Sequence, residues 1–395
     1  KADWWAFRDL TRFRGKKIKL VVDRMPEDSQ GLASAEQADE IRDTASLYTE
    51  ARRPQLYFSP RRGGCGDANG LVYYDGEYHL FFQHNPFNFD GGQNSHWGHA
   101  ISKDLVHWEE MPDALLPDDL GLQYSGSGLV DTDNTAGLPS GREKTIFLIH
   151  TAAGRADGPT QCLAYSQDRG RTWTKFSGNP VLPLVVPHNR DPRVFWYAPE
   201  KKWVMALAFG HDSRQNGGKP TTNPNYGLFS SKDLKSWERM SSLFIDNTCD
   251  CPEFFEIPLD GDRSRTKWIF WSGDALYLVG SFDGKTFTPE SGPHPLNLGN
   301  SFYASQTFNN LPEKDGRRIL MARTDGGGPG VGFWGGISLP VEVTLRTTGK
   351  GPRLFVNPVR ELEALRAQSH TIPAQPLQPG ENPLAGLGGE LLEVV

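Results

Sequence analysis

Cysteine is scarce in this 395-residue chain: four in all, Cys65, Cys162, Cys249 and Cys251. That is too few to staple a fold of this size, and the Cys249-Asp-Cys251 spacing is wrong for a C-x-x-C zinc or redox pair. All four read as ordinary buried thiols. Charge of one sign is also lacking. The formal net charge is only −6, so nothing points to nucleic acid or an anionic membrane as a partner. No apolar run approaches the roughly 18 residues of a membrane span. The opening Lys1-Ala-Asp-Trp-Trp5 has no apolar core, so no signal peptide is visible there.

Turn formers are plentiful, with 43 glycines and 29 prolines. Together with many aromatics they predict short strands joined by tight turns. A repeat supports this. Ser102-Lys-Asp104 precedes Trp108, Ser166-Gln-Asp168 precedes Trp173, and Ser231-Lys-Asp233 precedes Trp237. A degenerate copy, Ser281-Phe-Asp283, precedes Phe287. Intervals of roughly 50 to 65 residues suit the blades of a propeller. Each Asp is expected to accept turn N–H groups and each aromatic to pack between sheets, a structural role rather than a catalytic one. Strand-like runs cover 71–74, 78–82, 145–149, 203–207, 268–271, 318–322 and 338–345. The expected fold is all-β, a five-bladed β-propeller over 51–358, whose edges are protected by radial repetition. Residues 1–50 hold one strand candidate at 17–22 and a short helix or linker at 36–50. A short helix is expected at 359–367, then a Pro-rich linker. The last residues, 389–395, read as the first strand of a truncated β-sandwich.

Three acidic motifs lie outside the repeated turns: Gly66-Asp67-Ala-Asn69-Gly70, Asn189-Arg190-Asp191-Pro192 and Cys249-Asp250-Cys251-Pro252-Glu253. Each is also a good turn or strand opener. Together they fit glycoside cleavage, which needs one ionised and one protonated carboxyl about the scissile bond. Carboxylates sharing one channel push each other's pKa values apart, which helps keep one protonated. Other constellations are weaker. His96 and His99 would point to opposite faces of a strand, so no metal site is expected. Gly326-Gly-Gly-Pro-Gly330 lacks the Lys-Ser/Thr of a phosphate loop and reads as a rim loop.

Several longer stretches resemble glycoside hydrolase family 32, the fructan and sucrose hydrolases. They include Asp67-Ala-Asn-Gly70 followed by Phe81-Phe-Gln-His-Asn-Pro86, then His96-Trp-Gly-His99 and Tyr124-Ser-Gly-Ser127. Arg190-Asp-Pro192, Phe302-Tyr-Ala-Ser-Gln-Thr-Phe308 and Ser338-Leu-Pro-Val-Glu342 follow in family order. The resemblance implies a retaining hydrolase of β-fructofuranosyl linkages that needs no cofactor and takes an oligo- or polysaccharide. It matches Asp67 to the nucleophile, Asp191 to the transition-state stabiliser and Asp250 to the general acid/base. Glu253 is kept as the alternative acid, because the family's Glu and Asp about Cys-Pro are exchanged here. Asn69, Gln83, Trp97, Tyr124, Ser125, Arg190 and Arg323 are expected to line the sugar pocket. Secretion or a periplasmic location is favoured over the cytoplasm.

The departures cluster at the pocket. Gly64 and Gly66 stand where the family has Trp and Asn, and tryptophans expected within 90–92 and near Arg323 are missing. Losing indoles widens the site, and Arg323 either meets an anionic or larger sugar or pairs with Asp325. Two readings therefore stand beside hydrolysis: a non-catalytic carbohydrate-binding propeller, and a glycosidase or transfructosylase of altered substrate.

Overall fold

The computed structural model describes the chain except residues 1–6, 21–26, 43, 89–93, 140, 155–157, 211–222, 247, 249, 297–298, 300, 329–330, 377, 389–390, 392 and 394–395. The fold is all-β. Its strands come in successive antiparallel meanders. The first holds β1 (Gly63–Tyr74), β2 (Glu77–Asn85), β3 (His96–Ser102) and β4 (Trp108–Leu115). The second holds β5 (Leu122–Asp131), β6 (Thr145–Ala153), β7 (Thr160–Ser166) and β8 (Thr174–Lys175). In the third, β9 (Arg190–Tyr197), β10 (Lys202–Ala208), β11 (Tyr226–Ser231) and β12 (Glu238–Leu243) follow the same order. The fourth comprises β13 (Glu253–Leu259), β14 (Asp262–Trp271), β15 (Leu276–Phe282) and β16 (Phe287–Pro295).

A last group contains β17 (Tyr303–Thr307), β18 (Arg318–Gly327), β19 (Phe333–Ile337), β20 (Val341–Thr348) and β21 (Gly351–Pro358). It joins the first and fourth groups through parallel β1–β19 and β13–β20 contacts, so these three form one thirteen-stranded sheet.

Strand alternation explains how the groups stack. Side chains along a strand point to opposite faces. On β10, Trp203, Met205 and Leu207 pack with Phe147 and Ile149 of the second group, while Val204, Ala206 and Ala208 pack with Phe254 and Phe270 of the fourth. On β6, Ile146 and Leu148 instead turn to Phe81 and Trp97 of the first group. On β14, Ile269 and Trp271 pack with Leu320 and Val343 of the last group. Middle strands are thus buried on both faces. Truncating Met205, fully buried, to Ala would cost about 2–5 kcal/mol.

The repeated Ser-x-Asp motif forms the hairpin between the third and fourth strands of a group. Asp104 Oδ1 accepts from Val106 N and His107 N at 2.9 and 2.8 Å, and Asp233 Oδ1 from Lys235 N and Ser236 N at the same distances. Ser166 Oγ donates to Asp168 at 2.7 Å, and Trp108, Trp173 and Trp237 each donate their indole N–H to a carbonyl of their own turn.

The flanks differ from expectation. Lys17, Ile18, Lys19 and Leu20 form no strand and lie exposed, and the rest of 17–22 lies outside the described residues. Among the described residues before β1 the helical elements are the 3-10 turns Thr11–Phe13 and Thr44–Ser46, so 36–50 reads as the linker alternative with one such turn. The helix expected at 359–367 is a 3-10 turn over Arg360–Leu365. Residues 360–395 form a separate compact unit, in which Arg366 and Glu393 pair at 2.6 Å. The strand expected at 389–395 falls mostly outside the described residues.

Candidate active site

The first strands of the first three meanders carry irregular pairing beside the candidate site residues. In β1 the register with β2 shifts between Cys65 and Ala68, in β5 between Gln123 and Gly126, and in β9 opposite Ala206 and Ala208. Such bulges re-aim side chains off the ladder. They free Asp67, Tyr124, Ser125 and Asp191 from the alternation that the rest of each strand obeys. Backbone conformation contributes as well. Asp191, Asp250 and Cys251 have φ of +61, +80 and +37°, a region that non-glycine residues seldom occupy and that tends to mark functional sites.

The structure brings the three aspartates together. Ser125 Oγ donates to Asp67 Oδ2 at 2.7 Å and accepts from Gln83 Nε2 at 3.1 Å. The Cys251 thiol lies 3.7 Å from Asp67 Oδ2 and 3.6 Å from Asp191 Oδ2. Cys251 N donates to Asp191 Oδ2 at 3.1 Å, and Asp191 N donates to Thr151 Oγ1 at 2.9 Å. Arg190 joins the third acid: its Nη2 pairs closely with Asp250 Oδ1 while its Nε stands 3.6 Å from Asp191 Oδ2. Tyr303 OH donates to Asp250 Oδ2 at 2.9 Å. Opposite Ser125, Arg323 Nη1 stands 3.8 Å from Asp67 Oδ1 and its guanidinium covers the Trp334 ring at 5.0 Å. Neither reading of Arg323, a sugar contact or a pair with Asp325, anticipated this contact with Asp67, and Trp334 supplies an indole beside it.

Burial dominates the electrostatics. It pushes the Asp191 pKa up to about 7 against the pull of Arg190, and the charges of Asp250 and Asp67 add to the rise. Asp67 is raised too, chiefly by burial, with the Ser125 hydrogen bond and Arg323 opposing. Burial, then the neighbouring carboxylates, holds the Cys251 thiol well above its usual range, so it is a neutral donor between two acids. One member of this group therefore keeps a proton close to neutrality.

Glu253 is not brought to this cluster. It is fully buried, pairs with Arg193 Nε at 2.9 Å and accepts from Thr307 Oγ1 at 2.7 Å. It opens β13, and regular pairing with Trp271 leaves it in the ladder, away from the bend at Asp250 and Cys251. Trp97 has no exposed surface; its indole N–H donates to Tyr124 O at 2.9 Å and so fixes the strand that carries Ser125. Asn69 is likewise fully buried, two residues along β1 from Asp67, and Tyr124 is half-buried. Gly66 has a reason to lack a side chain: a Cβ there would stand 2.9 Å from Gln83 Oε1.

Cysteine needs one correction. Cys65 and Cys162 are buried free thiols, but Cys251 is half-buried among the acids, because the two left-handed residues before Pro252 turn it inward. Cys249 lies outside the described residues, as does the 90–92 loop. The histidines part as expected, His96 toward Asp113 and His99 toward His79. The glycines before residue 328 extend β18 rather than forming a loop; 329–330 are not described. Sequence reasoning had no signal for the roles of Cys251, Thr151 and Trp334, and it quoted Tyr303 only within a longer match.

Residues 57–358 match the family description "Glycosyl hydrolases family 32 N-terminal domain". A levanase of Bacillus subtilis is 38% identical over 91% of this chain and 54% of its own length. An invertase of Schizosaccharomyces pombe is 36% identical over 67% of this chain and 47% of its own. The chain thus spans about half the length of these relatives. The solved exo-inulinase from Aspergillus awamori superimposes with a TM-score of 0.68 at 29% identity, covering 79% of this chain and 68% of that one. The fructofuranosidase from Schwanniomyces occidentalis, solved with fructose, gives 0.69 at 30% identity, over 79% of this chain and 64% of that one. With the family match over most of its length and the acids gathered as described, the chain belongs to glycosyl hydrolase family 32.

Proposed function

We propose that this chain is a retaining hydrolase of β-fructofuranosyl linkages in a fructan or sucrose-type substrate. The observation that carries the reading is the convergence of Asp67, Asp191 and Asp250 about Cys251 and Arg190. The names of the relatives, levanase, invertase and exo-inulinase, support the substrate class. Ser125 and Arg323 orient Asp67 for attack on the anomeric carbon. The glycosidic C–O bond breaks as Asp250 passes its proton to the leaving oxygen. Water then attacks the fructosyl ester, returns a proton to Asp250 and frees Asp67. Asp191 is assigned to the sugar hydroxyls, where its ionised form, reached as pH rises through about 7, favours the oxocarbenium state.

Arg190 and Tyr303 both donate to Asp250, so each of its carboxyl oxygens is already engaged where a leaving group would have to be met. That favours a second reading, a carbohydrate-binding chain that no longer cleaves. For the architecture we infer five blades over 51–358, with β1, β5, β9, β13 and β17 innermost, and flanking segments at 1–50 and 359–395. Relatives named as extracellular exo-inulinases support a site of action outside the cytoplasm.

The test is product analysis on sucrose, inulin and levan, for the parent and for Asp67→Asn. Free fructose from the parent and none above background from the variant supports hydrolysis. Binding without product from either points to the second reading, and unchanged turnover in Asp67→Asn removes the nucleophile assignment.

A further inference from the structure

The strands that carry the acids at their starts carry a different set of side chains at their ends. Beyond Asp191, β9 runs on to Phe195, Trp196 and Tyr197; beyond Asp250, β13 runs on to Phe255 and Glu256. With Trp268 of β14 and Arg318 at the start of β18, these residues border a cavity of about 330 Å³, large enough for a monosaccharide-sized ligand.

Two guanidinium groups face this cavity, and they differ in their partners. Arg193 is well partnered: it pairs with Glu253 and donates to Thr307 O at 3.1 Å and to Thr307 Oγ1 and Asn309 Oδ1 at 3.0 Å each. Arg318 has five N–H donors and uses one, to Glu256 O at 3.3 Å. Its guanidinium lies over the Phe255 ring at 4.9 Å. Among the described residues it forms no ion pair. Burial, and then the charge of Arg193, push its pKa down to about 10. Its unused donors reach solvent and so stand open to a ligand in the cavity. Arginine's planar fork is suited to carboxylate and phosphate. The carboxylate of Glu256 does not fill that place; it accepts from Thr266 Oγ1 at the exposed rim.

We propose that this cavity is an oxyanion site, binding a compact organic acid or phosphorylated sugar. Its carboxylate or phosphate caps Arg318, and its body rests on the wall of Phe195, Trp196 and Tyr197. The site does not depend on the catalytic reading, because none of its residues touches Asp67, Asp191 or Asp250.

Calorimetric titration of the full chain with citrate, fructose 6-phosphate, inorganic phosphate and neutral fructose tests it. At least one anion is expected to bind, with affinity falling about tenfold or more in Arg318→Met. Binding is expected to weaken with added salt. Glu256→Gln removes a nearby negative charge at an exposed position, so it is expected to tighten anion binding roughly two- to fivefold. This second variant keeps the test decisive if Arg318→Met fails to fold. Citrate against fructose 6-phosphate separates the carboxylate from the phosphate source. No binding by any anion at millimolar concentration overturns the proposal. So does binding indifferent to both substitutions, which would place the ligand in the acidic cluster. Fructose binding as tightly as the anions and unmoved by Glu256→Gln would make the cavity a neutral sugar platform and also overturn it.

Discussion

Arg323 Nη1 stands 3.8 Å from Oδ1 of Asp67, the carboxylate oxygen that Ser125 leaves open. Its charge opposes the rise that burial imposes on Asp67. Removing it should therefore raise the Asp67 pKa further, so the ionised nucleophile is reached only at higher pH. In Arg323→Met the acidic limb of kcat/KM is expected to move to higher pH, with activity on the alkaline plateau within about threefold of the parent. A limb that stays in place would show that the guanidinium does not act on Asp67.

Asp250 carries the second prediction. Its carboxyl is held by Arg190 and Tyr303, and aspartate is one methylene shorter than the glutamate found in relatives of this family. Displacements of about an ångström can cost roughly 100-fold. Asp250→Glu is expected to raise kcat on a fructan or sucrose by about 10- to 100-fold. Asp250→Asn should lower it by about 10²–10⁴, the usual worth of a general acid. If Asp250→Glu is slower than the parent on every fructoside, the shorter acid is matched to a different bond.

How far the sequence carries depends on whether a feature is local. The Ser-x-Asp turns were legible because the aspartates bond to N–H groups within four residues of themselves. The doubly buried strands were legible as continuous apolar runs such as Trp203 to Leu207. Asp67 and Asp191 stood out through neighbouring Gly and Pro, and the resemblance gave them roles. Residues 17–20 misled, because the alternating pattern there is not buried against a sheet and Ile18 and Leu20 stay exposed. Cys251 between two acids, and Arg323 over Trp334, join distant segments through bulges and left-handed residues that no spacing encodes.

Glu253 separates a structural acid from a chemical one. Fully buried against Arg193, it neutralises a cation that has no route to water. Breaking such a pair from one side costs about 3–5 kcal/mol. Glu253→Gln is expected to unfold at markedly lower urea concentration, with the pH limits of the remaining activity unchanged. Unchanged stability together with loss of one pH limb would instead return the acid/base role to Glu253.

A fourth prediction concerns pH and stability, at the first meander. His84 Nδ1 contacts Asp113 Oδ1 at 2.8 Å and its Nε2 contacts Arg62 O at 3.0 Å. Both partners are acceptors, so both ring nitrogens must carry protons and the buried ring is an imidazolium. Asp113 also accepts from His96 and pairs closely with Arg8, and Glu110 adds its negative charge nearby. Burial works against the charged ring, but Asp113 outweighs it and the His84 pKa is raised. The contribution is therefore complete below the unfolded histidine pKa of about 6.5 and is lost as pH climbs through the higher folded value. Asp113 behaves oppositely. Burial is outweighed by His84, His96 and Arg8, its pKa is depressed, and its share is lost as pH falls through the folded value. Urea unfolding should show the stability difference between the parent and His84→Gln shrinking from mildly acidic to mildly alkaline pH, whatever slope the other buried histidines give both proteins. Parallel curves for the two proteins would mean the ring is neutral, and that its bond to Arg62 O is not made by a second proton.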